Sequence, residues 1–319
     1  MTLQFNRAVE LRVYAFIRVF TIRDLHFEFS VDLNRDATPN IARIKIYNLS
    51  EKTRSYISEE HQGVELYAGY NPDEIPAVSL FSPFPLIFKG STIAVSSYRE
   101  GVNWVTEIVA GDGNQEFLES TFQKSYKKGT AVSLIISEVC ASVGVPFTSD
   151  FIDASAILTR GRVVNGKVKD ILDKLADSYY LTWSYQDQVL EVVNAGSPPL
   201  KALNVTVLSP DTGLLDTPVL VDRTSAQSEK KVDKMKTRNK PVRVGVRAKS
   251  LLNADIKPSR LFSLISALPV SALGIETLKR KGEIKLPTST SVYIADKVRH
   301  LGSNFANTYE TQILGDLYV

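Results

Sequence analysis

Residues 26–33 read His-Phe-Glu-Phe-Ser-Val-Asp-Leu, and the fold class turns on this stretch. Phe27, Phe29, Val31 and Leu33 fall on one face of an extended chain, and His26, Glu28, Ser30 and Asp32 fall on the other. Strict alternation is the signature of a strand with one buried face. Upstream, residues 11–20 (LRVYAFIRVF) repeat it, with Leu11, Val13, Ala15, Ile17 and Val19 opposite Arg12, Tyr14, Phe16 and Arg18. Downstream, the turn-rich NRDATPN precedes a third strand, IARIKIYNL, and Ser50 is placed to cap a short helix over EKTRSYI. Further strands at GVELYAGY, PLIFKGSTIAVSSY and GVNWVTEIVAGDG, with a proline-rich loop after Tyr70, complete the set. So many short strands with turns between them predict a barrel or sandwich over residues 1–115.

In the middle of the chain the period changes. Val132, Ile135, Ile136 and Val139 recur at helical spacing, as do Val168, Ile171, Leu172, Leu175, Ala176 and Tyr179. LTWSYQDQVLEVV then reads as a hairpin turning at Gln186-Asp187. Residues 116–197 are therefore expected to form a small α+β domain, closed by the breaker Gly196-Ser197-Pro198-Pro199. Strand patterns return at ALNVTVL, at PVRVGVRA, where Val242, Val244 and Val246 alternate with Arg243, Gly245 and Arg247, and at VYIADKVRHL and NTYETQILGDLYV. They predict a second β-rich domain over 198–319. The fold class is α+β and mainly β, and 319 residues exceed what one core ordinarily serves.

Hydrophobic content of 44% and charged content of 23% are those of a globular chain. No apolar run approaches the ~20 residues that span a bilayer. The opening MTLQFNRAVELRVY lacks a signal-peptide core, so a cytosol-like compartment is expected. Cys140, the single cysteine, excludes an internal disulfide and reads as a small buried hydrophobe. His26, His61 and His300 share no metal-ligand spacing, and neither a G-x-S-x-G, a P-loop nor a dinucleotide fingerprint occurs. Gly111-Asp112-Gly113 reads as a tight turn. No catalytic residue, cofactor or metal is expected. A hydrolase built on two carboxylates brought together by folding stays open as an alternative, although Glu28, Asp32, Glu107 and Asp211 sit on polar faces or in turns.

The stretch from Asp222 to Lys240 is polar and Lys-rich, and between Lys230 and Lys249 the only acid is Asp233. Three readings apply: a solvated loop, a loop that orders against an acidic partner subunit, or phosphate contact with nucleic acid. The absence of base-stacking aromatic residues counts against the last. Lys230, Lys231, Lys234 and Lys236, with Arg243 and Arg247 on the strand that follows, are the interface candidates.

Three segments, in order and covering most of the chain, resemble the baseplate hub proteins of contractile-tail bacteriophages, which are related to the hub part of VgrG-type spikes. The first runs through IYNLSEKTRSYI, GVELYAGY and LIFKGSTIAVSSYREGVNWVTEIVAGDG, and is similar to the hub's opening barrel. The second is RGRVVNGKVKDILDKLADSYYLTWSYQDQVLEVV, similar to its middle domain. The third comprises VTVLSPDTGLLDTPVL, SLLNADIKPSRLF and YIADKVRHLGSNFANTYETQI. Asp216 and Pro258-Ser259 depart from the glycines of the family pattern, and LISALPVSALGIETLKRKGEIKLP reads as an insertion.

The resemblance implies two tube-like β-barrel domains, 1–115 and 198–319 with a basic loop at about 222–241, flanking the α+β domain. It implies a structural virion protein, assembled in the host cytoplasm, whose homotrimer adapts a sixfold tail tube to a threefold spike and lines the ejection channel. The partners it implies are the tail tube protein, the spike protein, surrounding baseplate subunits and the tape-measure protein, with the genome passing only in transit. A tailocin or secretion-type hub is a neighbouring reading; a tail-associated cell-wall hydrolase and a nucleic-acid module are rivals.

Overall fold

The computed structural model describes residues 6–15, 18–35, 39–58, 62–70, 82–112, 120–148, 156–194, 204–222, 244–265 and 291–318. The first third contains β1 (Arg7–Ala15), β2 (Arg18–Ile22), β3 (Phe27–Asn34), β4 (Ile41–Tyr47), α1 (Glu51–Ile57), β5 (Gly63–Tyr70), β6 (Leu86–Glu100) and β7 (Asn103–Gly111). In the middle lie β8 (Thr121–Tyr126), α2 (Val132–Ser142), β9 (Phe147–Thr148), β10 (Arg162–Lys167), α3 (Val168–Tyr179), β11 (Leu181–Gln186) and β12 (Val189–Asn194). The last third adds β13 (Val205–Leu208), β14 (Val219–Asp222), β15 (Val244–Leu251), β16 (Leu261–Leu264), β17 (Val292–Ser303) and β18 (Tyr309–Tyr318). The chain is mainly β, with α-helices confined to short elements.

β3 buries every second residue from Phe27, as its alternation requires. Ser50 caps α1 by accepting from the Thr53 amide at 3.1 Å. The stretch 11–20, expected as one strand, is divided between β1 and β2, which pair antiparallel. Its alternation runs unbroken through Phe16-Ile17 with neither Gly nor Pro, so no local residue signals the reversal. Val19, expected inside, is 54% exposed.

One sheet unites the first and last thirds, in the order β14-β15-β18-β17-β3-β4-β7-β6-β5-β1-β2, with β16 and β13 added beside β17. The joining strand is β17. β18 occupies one side of it throughout. On the other side its start pairs with β16 and its end with β3, and the change of partner falls at a bulge at Asp296. Two separate barrels were expected; among the described residues no closed barrel forms, because the outer edge of β3 is paired to β17 of the other third. Side chains span the remaining gap between β18 and β1/β5. The Tyr309 hydroxyl lies 2.8 Å from the Ala8 carbonyl and 2.9 Å from that of Gly69, and Arg7 reaches the carbonyls of Ala306 and Asn307. A single apolar core follows, running from Val9, Phe27, Phe29 and Ile44 to Phe262, Tyr293 and Ile313.

The middle elements have their own core, built from Val132, Ile136, Cys140, Ile171, Leu172, Leu175, Trp183 and Leu190. α3 lays its apolar stripe on the β11–β12 hairpin, where the Trp183 indole donates to Asp173 at 3.1 Å. Cys140 is buried, as its surroundings imply, and burial pushes its thiol up to about 12.

Candidate assembly interface

Of the residues singled out as an interface, Lys230, Lys231, Lys234, Lys236 and Arg243 lie outside the described residues. Arg247 projects from β15 into solvent, while Val244, Val246 and Ala248 turn into the core. Register then fixes its neighbours. Arg247 stands opposite Leu314 of β18, which stands opposite Lys297 of β17. One row away Gln312 faces Lys249 and Arg299, and Arg299 faces Asp32 of β3. Arg247, Lys297, Arg299, Gln312, Asp32 and Asn34 line an open groove of about 390 Å³. A second groove of about 260 Å³ lies on its other flank, between Arg247, Lys249 and Asp216.

The charges on this face are partly matched. Asp32 takes Arg299 at 3.1 Å and Arg43 at 3.8 Å, and Lys249 stands 3.6 Å from both Asp216 and Glu310. Arg247 and Lys297 have no acidic partner among the described residues. Exposed pairs of this kind contribute about 0–1 kcal/mol to the fold, so the face presents charge and two unpaired cations rather than holding the chain together.

Sheet edges are the second feature. Among the described residues, β2 and β14 each pair on one side only, and β13 pairs only with β16. β6 runs for 15 residues, yet its ladder with β5 stops at Ser91. Unpaired strand edges present rows of amide and carbonyl groups that a further strand satisfies.

Buried polar groups, which alternation does not disclose, join the α+β unit to the sheet. The Asn40 side-chain amide donates to Asp112 at 2.5 Å, and to the Tyr185 carbonyl and the Gln186 side chain at 3.1 Å each. Gln186 returns a bond to the Asn34 carbonyl at 2.7 Å, and Lys257 pairs with Asp187 at 2.5 Å. Of Gly111-Asp112-Gly113, read as a turn, Gly111 ends β7 and Asp112 is buried at the bend that follows; Gly113 lies outside the described residues. Burial raises the Asp112 carboxyl to about 7, and the Asp187 charge adds to this against the bonds from Asn40.

Glu10 is likewise buried, between Arg12 at 2.6 Å and Arg23 at 2.5 Å. His300 is buried with Nδ1 2.9 Å from the Thr311 hydroxyl, and burial followed by the Lys257 charge lowers it to about 3. It is therefore neutral at physiological pH. His26 stacks on Tyr47, and His61 lies outside the described residues. No cluster of His, Cys, Asp and Glu that could hold a metal occurs among the described residues, and no described helix is long and apolar enough to cross a membrane.

No family model matches the sequence, and no curated protein matches it. Solved structures do. A tail protein from Neisseria meningitidis superposes with a TM-score of 0.62 at 11% identity, covering 98% of this chain and 97% of that one. A 43 kDa tail protein of prophage MuSo2 from Shewanella oneidensis gives 0.59 at 7% identity, with 98% of both chains covered. The E. coli c3393 protein gives 0.60 at 10% identity, over 97% of this chain and 77% of that one; it is described as a type VI secretion component similar in structure to the T4 tail proteins gp27 and gp5. The chain thus has the fold of phage tail and type VI secretion proteins from end to end. That is the class of fold to which the sequence resemblance pointed.

Proposed function

We propose that this chain is a structural baseplate hub subunit of a contractile phage tail. The observation that carries the reading is the likeness to tail proteins along 98% of the chain. On this reading residues 1–115 and 198–319 are two tube-like domains flanking the α+β domain of 116–197. Three copies form a ring whose six such domains match a sixfold tube above and a threefold spike below, around the ejection channel. The edges of β2, β13 and β14, unpaired among the described residues, favour such an assembly, because a half-paired strand presents amide and carbonyl groups that a neighbour can satisfy. The spike, the tube protein, adjoining baseplate subunits and the tape-measure protein are the partners, and the protein is a virion component.

The groove around Arg247 and Lys297, with the basic stretch that precedes β15 in the sequence, is the contact for an acidic face of one of those partners. The type VI likeness favours a second reading, the hub of a secretion-type spike. Light scattering of the purified chain is expected to give the mass of a trimer, and labelled chain is expected at the baseplate centre in images of assembled particles. A monomer that clears peptidoglycan suspensions would replace the hub by a hydrolase. Charge reversal at Arg247 and Lys297 is expected to weaken capture of the partner roughly tenfold at low salt and to matter little at high salt, where screening shortens electrostatic reach.

A further inference from the structure

The overhang of β6 is the longest free edge in the described sheet. Among the described residues, beyond the bond from the Thr92 amide to the Gln62 carbonyl, 93–100 pair only with β7. At about 3.4 Å per residue that edge extends roughly 27 Å. A bulge between Thr92 and Ala94 marks where it leaves the β5 ladder, and bulges bend and twist a strand away from its former neighbour. Ala94, Ser96, Ser97, Tyr98, Arg99 and Glu100 are all exposed, and Ile93 is 52% exposed. Natural edges are ordinarily guarded by proline, lysine or an inward charge. Residues 94–98, Ala-Val-Ser-Ser-Tyr, have none of these.

We propose that residues 93–100 of β6 pair as a strand with the free edge of β2 in a neighbouring copy of this chain. The proposal rests on the ring reading above and specifies its contact. A ring needs a heterologous contact, in which two different surfaces meet; an edge pairing with itself gives a two-fold dimer. β6 and β2 are different edges of the same sheet, three steps apart in the order β6-β5-β1-β2. β2, with five residues, is a longer free edge than β13 or β14, with four each. Its outward Val19 and Thr21 are exposed, as are Ser97 and Tyr98 of the overhang. An edge-to-edge ladder pairs backbone with backbone and brings these side chains together in register.

The test uses the full chain with Ser97→Cys combined in turn with Thr21→Cys and with Val19→Cys, two positions that allow for the register. Cys140 is buried and supplies the background. Mild oxidation of the assembled protein is expected to give covalent dimers and trimers only when both cysteines are present. Alternate amides of 93–100 are expected to exchange at least roughly tenfold more slowly in the assembly than in chains diluted to monomers. A trimer with no cross-link at either register and fast exchange along 93–100 overturns this contact and leaves the hub reading standing. Covalent dimers from Ser97→Cys alone overturn it in favour of β6 pairing with itself. A chain that stays monomeric at every concentration overturns both the contact and the ring.

Discussion

Tyr180 ends α3 in a left-handed conformation, with φ 54°, and is 83% exposed. That backbone region is costly for a side chain with a Cβ and free of strain for glycine, which is why glycine predominates at helix ends of this form. Tyr180→Gly is expected to raise stability by about 0.5–1 kcal/mol in urea denaturation, with no change in assembly.

Asp112 makes a prediction with a sign. Its folded-state pKa, about 7, lies above the ordinary 3.8, so the native state holds its proton more tightly than the unfolded chain does. The burial penalty is absent below pH 4, grows as pH rises to 7 and is constant above, each tenfold difference in proton affinity corresponding to about 1.4 kcal/mol. Asp112→Asn is expected to gain stability relative to the parent protein as pH rises from 4 to 8. Denaturation midpoints of the two proteins that stay parallel across this range would contradict the assignment. Neither residue was legible as special in the sequence. Tyr180 looks like one more apolar position at the end of a helical stripe, and Asp112 sits between glycines in what reads as a turn; burial by a hairpin more than seventy residues away leaves no local trace.

Among the elements, β17 does the most with the least sequence signal. Its alternation identifies a strand, but not that three strands share it. Period-two patterns report which face is buried and say nothing about which edge meets which, and pairing between residues as distant as Asp32 and Arg299 is set by the whole sheet. For the same reason β3, β4, α1 and the β11–β12 turn were readable, being local, whereas the β1–β2 reversal and the β6 overhang were not. Gly302 of β17 faces Phe29 of β3, and a Cβ there would run into the Phe29 ring. Gly302→Val is therefore expected to cost about 2–4 kcal/mol by overpacking and displaced pairing. It is also expected to lower the protection of amides in β3 and β18 together, measured by hydrogen exchange; loss confined to the last third would separate the two thirds energetically.

At the scale of the molecule, two cores meet through a handful of polar contacts centred on Asn40. Asn40→Ala removes its bonds to Asp112, Tyr185 and Gln186 at once and leaves the buried Asp112 oxygen unsatisfied. It is expected to destabilise by about 2–4 kcal/mol and to speed exchange in β11 and β12 more than in the sheet. Equal acceleration in both would mean that the two bodies unfold as one.

The strand shared by both thirds also decides how the chain responds to a pull. Seven residue pairs bind β17 to β3 side by side. A tug applied along those strands loads all seven at once, whereas one applied across them opens the pairs singly, like a zip. The direction of the load relative to these strands therefore determines whether the joint acts as a strut or as a fuse.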